Sequence, residues 1–223
     1  MEIIIIYLLI LIVPAVASYN IRKTYGRYKG VPNTSKLSGC EVARRILDEH
    51  GLTNVYVVEN PNGELSDCYD PQRKTVRLST DVYHGETVAA LAVAAHECGH
   101  AIQDKEGYAM MKIRSLIYPV VSIGTKLAYI LLFIGFIAQI LDLIYLAIGL
   151  TSLGLIFELI TLPVEFDASN RAKKILLEDG ITSVDENGGV SKVLGAAAFT
   201  YVAAVLTTLL QMAYYLLRAM DRR

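Results

Sequence analysis

The chain has 223 residues, 53% of them hydrophobic, and a mean hydropathy of +0.41, too apolar for an ordinary soluble domain. A formal net charge of −1, with no basic patch carrying interleaved aromatics, gives no reason to expect nucleic acid as a partner. Cys40, Cys68 and Cys98 are an odd count without a CxxC pair, which argues against a disulfide framework or a zinc ribbon and fits reduced thiols facing the cytosol.

The first element, residues 1–19, runs without charge from Ile3 to Ala17. Ala15-Val16-Ala17 before Ser18 has the form of a leader-peptidase site. However, only Glu2 precedes the apolar run, whereas Arg22, Lys23, Arg27 and Lys29 follow it. Positive charge stays cytoplasmic, so the segment reads as an anchor with its N-terminus outside and Arg22 onward inside.

Residues 30–114 have the composition of a small α+β domain. Ser38 with Glu41 forms a capping box for a helix from Gly39 to His50, stopped at Gly51. Val55-Tyr56-Val57-Val58 and Thr75-Val76-Arg77-Leu78 read as strands, with a turn at Asn60-Pro61-Asn62-Gly63. A strand placed just before the next helix could hold an extended peptide by edge pairing, although such edges are more often purely structural.

A helix-like run from Thr87 to Asp104 contains His96-Glu97-Cys98-Gly99-His100, an HExxH box. On an α-helix, residues four apart project from one face, so His96 and His100 can reach one Zn²⁺. The same spacing puts Glu97 beside an attacking water as general base. Cys98 lies about 200° around the helix from His96 and reads as a small core residue. His50 and His84 read as capping or solvated loop residues. Two histidines do not hold a catalytic zinc, so a third protein ligand is required.

Residues 115–162 carry only Lys126, Asp142 and Glu158 among apolar side chains between Leu116 and Leu162. That stretch suits a hairpin of two spans. With the turn near Asp142, Lys126 and Glu158 fall at matching depth, and an ion pair between them is expected. The hairpin also returns the chain to the membrane face it left. Residues 163–192, opened by Pro163 as a helix start, are therefore on the side of the histidines. Glu165 and Asp167 project from opposite faces there, so one of the two is the expected ligand. Residues 193–217 are long and apolar enough for a further span, and Gly195-Ala196-Ala197-Ala198 would allow close packing. A fourth span would carry Arg218, Arg222 and Arg223 outside, so charge alone does not orient this last helix.

The chain resembles the bacterial membrane neutral zinc metallopeptidases of the YugP type. The resemblance runs through Ser38 to Arg44, Leu65 to Pro71, Val76 to Ser79, Ala94 to Gln103 and Leu162 to Ser169. That family usually has a histidine where this chain has Cys68. More distantly the chain is similar to the HtpX and CAAX-prenyl endopeptidases. That similarity implies Glu165 as third ligand and a gluzincin-like α+β zinc metallopeptidase domain with mostly α-helical, multi-pass membrane segments. Those relatives carry an aspartate four residues beyond the glutamate, where this chain has Ser169, and Asp167 or Asp104 is the expected substitute.

The sequence thus predicts a multi-pass membrane zinc endopeptidase active on the cytoplasmic side. Zn²⁺ is held by His96, His100 and Glu165, with Glu97 as general base, and the partners are peptide or protein substrates and the lipid bilayer. Tyr69, Tyr83, Tyr108 and Arg171 are candidates to stabilise the oxyanion. The alternative is a non-catalytic membrane adaptor or chaperone-like protein with a structural zinc, against which the intact Glu97 argues. A transporter is suggested only by the three charges in the apolar block. Substrate identity and oligomeric state are not encoded in any recognisable feature.

Overall fold

The computed structural model describes residues 2–220. Arg222 and Arg223, counted in the charge argument above, lie outside them, as does the side chain of Glu2. The described residues form seven helices and three strands: α1 (Glu2–Lys29), α2 (Gly39–Glu49), β1 (Tyr56–Asn60), β2 (Cys68–Asp70), β3 (Thr75–Ser79), α3 (Thr80–Tyr83), α4 (Val88–Glu106), α5 (Ala109–Ala138), α6 (Leu141–Glu178) and α7 (Val184–Met220). The chain divides into two compact units, residues 20–111 with 164–198, and residues 2–19 with 112–163 and 199–220.

The first unit is built around α4. Its N-cap Thr87 accepts the Ala90 amide at 3.2 Å, and Gly107 ends it in the left-handed conformation at φ 68°. Alanines, leucine and isoleucine line the helix nearly all round, so it can only be buried, and fourteen of its residues are. Helix α2 packs on it through Val42, Ala43, Ile46 and Leu47. The Ser38–Glu41 capping box is present in full, and His50 caps the other end with its Nδ1 2.9 Å from Ile46 O. The three cysteines are unbonded, and the Cys98 thiol sits buried 3.6 Å from Ala43 O, on the side away from the histidines' shared face.

The sheet has order β1–β3–β2, with β1 parallel and β2 antiparallel to β3. Strand β2 has no counterpart among the strands expected from sequence. Three residues beginning with an exposed cysteine carry no alternation long enough to read. Its hairpin to β3 is held by Asp70 Oδ1, which accepts the amides of Gln72 and Arg73 at 3.0 Å.

Helix α6 meets α4 at Gly99. A Cβ added there would lie 2.8 Å from Ala168 O and 3.2 Å from Ala168 Cα, both backbone atoms that cannot turn aside. Gly99→Val is therefore expected to destabilise this unit by about 1–3 kcal/mol through overpacking. Thermal unfolding of the purified variant measures it, and an unchanged midpoint would refute the close approach.

The second unit consists of apolar helix. Four helices among the described residues are long and apolar enough to cross a membrane: Ile3–Lys29, Ala109–Ala138, Leu141–Glu178 and Val184–Met220. The hairpin turn falls at Gln139–Ile140, just before Asp142. Gln139 is left-handed at φ 58°, and the Ile140 amide reaches back to Gly135 O. Two expectations are corrected here. Pro163 does not begin a helix but lies inside the 38-residue α6, whose helical run from Leu141 is long enough to carry through one missing donor. Lys126 and Glu158 form no ion pair among the described residues. Thr208 Oγ1 of α7 donates to Glu158 Oε1 at 3.0 Å instead, and both charges line one cavity of about 380 Å³.

Candidate metal centre

Residues far apart in sequence converge on one point between α4 and α6. His96 Nε2 is 3.3 Å and His100 Nε2 3.5 Å from the same oxygen of Glu165, Oε2. The three ligand atoms all lie within 4.8 Å of one another, the one such His/Cys/Asp/Glu group among the described residues. A charge-assisted N–H···O⁻ bond would close to about 2.7–2.9 Å. The edges of a tetrahedron around Zn²⁺, with bonds of about 2.0–2.2 Å, are about 3.3–3.6 Å. The two histidine-to-glutamate separations fall in that range, and two imidazoles with one carboxylate are donors zinc takes in catalytic sites. The imidazole rings stand nearly perpendicular at 83°, with centroids 4.7 Å apart.

Each imidazole has its other nitrogen engaged. His100 Nδ1 is 2.9 Å from Gln103 Oε1. The Gln103 side chain, fully buried, donates through Nε2 to Val164 O and to Asp167 Oδ2, both at 2.8 Å. Because Nε2 is committed to two acceptors, Oε1 must face His100, so His100 donates from Nδ1 and leaves the Nε2 lone pair for a metal. His96 Nδ1 is 3.2 Å from Ser169 Oγ. The serine at the departing position thus occupies the place beside the imidazole. Asp104 does not reach the histidines: it accepts from Tyr69 Oη at 2.7 Å and Lys74 Nζ at 2.5 Å. Asp167, one face over from Glu165, acts on His100 through Gln103 and is itself held by Arg171 Nε at 2.6 Å.

Gln103 was missed by sequence reasoning, although it stands three residues after His100, on the same helix face. Gln103→Leu is expected to weaken zinc binding about 10–100-fold, the range for losing such an outer partner, as read by competition with a chelator. Unchanged affinity would show that the tautomer is fixed by something else.

Glu97 is buried, and burial raises its carboxyl above the usual range, partly opposed by the charges of His96 and His100. For His100, burial disfavours the cation, but the Glu165 carboxylate outweighs it and the net shift is upward. Burial pushes the Cys68 thiol, at the start of β2, above its usual range, and the Glu97 charge adds to the shift. Cys68 is not among the three converging ligands. Of the oxyanion candidates, Tyr69 is bonded to Asp104 and Arg171 is paired with Asp167 and with Glu106 at 2.7 Å. Tyr83 is stacked edge-on with His84. His84 pairs with Glu59 at 3.3 Å, away from the converging group.

A family model described as "Putative neutral zinc metallopeptidase" matches residues 3–220 of this chain. The chain is also 44% identical over 207 residues to a Bacillus subtilis (strain 168) protein named "Putative membrane protease YugP", covering 93% of this chain and 92% of that protein. No solved structure matches.

Proposed function

This chain belongs to the neutral zinc metallopeptidase family, and from that premise we propose that it is a membrane-embedded, zinc-dependent endopeptidase with a gluzincin-like centre facing the cytosol. The observation that carries the reading is the convergence of His96, His100 and Glu165, with both imidazole Nε2 atoms 3.3–3.5 Å from one carboxylate oxygen and Glu97 buried next to them in sequence. Three protein ligands leave a fourth position free, which a structural zinc site would fill with protein.

Bound there, Zn²⁺ supplies Lewis acidity, activating water and polarising the scissile carbonyl. Glu97 accepts the water's proton at its carboxylate and delivers it to the leaving amine nitrogen, which becomes the new N-terminus. A carboxyl raised by burial is suited to that exchange near neutral pH. Gln103 and Ser169 hold the two imidazoles at their Nδ1 atoms. The strand expected from sequence to hold substrate, β3, is paired on both sides and offers no edge. Strand β2 instead ends the sheet on the side packed against α4, and its outer edge would give an extended peptide main-chain hydrogen bonds.

The cytosolic assignment rests on charge and parity. Arg22, Lys23, Arg27 and Lys29 follow the first span, and two spans separate His96 from Glu165, returning the chain to one side. The test is zinc content together with casein cleavage by the detergent-purified chain. One zinc per chain with cleavage abolished by chelation is the expected result. Stoichiometric zinc with no cleavage of casein or of unfolded membrane protein would refute the enzyme.

A further inference from the structure

Residues 20–28 of α1 and 192–196 of α7 enclose a cleft of about 350 Å³, remote in sequence from every metal-centre residue. Asn20, Lys23, Thr24, Arg27 and Tyr28 follow the i, i+3, i+4, i+7, i+8 pattern of one helix face, and Lys192, Gly195 and Ala196 face them. Three cations, a hydroxyl, a phenol and an amide line it, and no carboxylate does. Lys29, just beyond the cleft, pairs with Glu64 at 2.5 Å and Asp81 at 2.8 Å. Arg27 is steadied over the Tyr28 ring, its guanidinium carbon 5.7 Å from the centroid.

The opening is built by a difference in helix approach. At Gly189 a Cβ would lie 2.8 Å from Tyr28 Cε1, so the helices touch there. At Gly195, under two turns further along α7, a Cβ would meet nothing within 4 Å. The small-residue run that reads from sequence as a packing surface begins, at Gly195, on open space. Asn20 lies just before Arg22, the first charge after Glu2, which puts the cleft toward the C-terminal end of the candidate membrane span Ile3–Lys29.

We propose that this cleft binds a phosphate oxyanion, supplied by the headgroup of an anionic phospholipid. A phosphodiester brings one negative charge to three cations and accepts hydrogen bonds from Thr24, Tyr28 and Asn20. A zwitterionic headgroup brings the same phosphate with a quaternary ammonium that the lysines and arginine repel, so the site discriminates by charge.

Titration of the detergent-solubilised full chain with phosphatidylglycerol, phosphatidylcholine and inorganic phosphate, read by native mass spectrometry, tests this. One phosphatidylglycerol is expected to bind in preference to phosphatidylcholine. The Lys23→Gln/Arg27→Gln/Lys192→Gln triple should weaken it on the order of 100-fold, at roughly fivefold per cation. Gly195→Leu, which fills the cleft without touching charge, should have a comparable effect. Arg73→Gln/Lys174→Gln, removing two exposed cations elsewhere, should not. Thermal unfolding midpoints like wild type establish that the variants are folded. Equal binding of the two lipids, or phosphatidylglycerol binding untouched by both cleft variants, overturns the site. Inorganic phosphate binding as tightly as phosphatidylglycerol, and lost in the same variants, overturns the lipid source.

Discussion

Glu97→Gln is expected to keep one zinc per chain and to lose proteolysis by about 10²–10⁴-fold in kcat/KM. The amide has the shape of the carboxyl but cannot accept the water's proton, and Glu97 is not among the three converging groups. The loss should lie in kcat, because a proton-transfer partner acts in the transition state and not in ground-state binding. Zinc by atomic absorption and cleavage of a fluorogenic casein measure the two arms on one preparation. Persistent cleavage by this variant would remove Glu97 from the mechanism, and loss of zinc with activity would make its role structural.

Glu165→Gln has the second-largest expected effect, on the metal. Glu165 is 2% exposed, and its Oε2 lies 3.3 and 3.5 Å from the two imidazole Nε2 atoms. A neutral amide of the same size preserves packing while removing the anionic ligand. Zinc affinity should fall well beyond the roughly 10–100-fold that an outer partner costs, and activity with it. Asp167→Asn should stay within that lesser range, because Asp167 reaches His100 only through Gln103. If Asp167→Asn stripped the zinc and Glu165→Gln did not, the ligand assignment would be reversed. Chelator competition on both variants, beside wild type, separates the cases.

Why some of this was readable from sequence and some was not follows from the range of the interactions. The α4 face with His96 and His100 is set by helical periodicity, a local property. The capping box at Ser38 and Glu41 and the hairpin turn before Asp142 are local in the same way. The placement of Glu165 needed hairpin parity to bring it to the right side and resemblance to choose it over Asp167. The bridge from His100 through Gln103 to Val164 and Asp167 spans more than sixty residues, and no local pattern announces it. Equal spacing in sequence suggested a Lys126–Glu158 pair, yet Thr208, fifty residues beyond Glu158, takes the carboxylate oxygen instead. Strand β2 exists because β3 offers it a partner, not because three residues prefer to be extended.

The metal-binding group is split between α4 and α6, with all of α5 and the first half of α6 between its two parts. Synthesis runs from the N-terminus, so the two histidines emerge long before the carboxylate that completes their set. On the proposed reading, the site is therefore incomplete until the second helix of the hairpin has been made. A chain stalled within α5 would then lack the third ligand, and is expected neither to retain zinc nor to hydrolyse peptides.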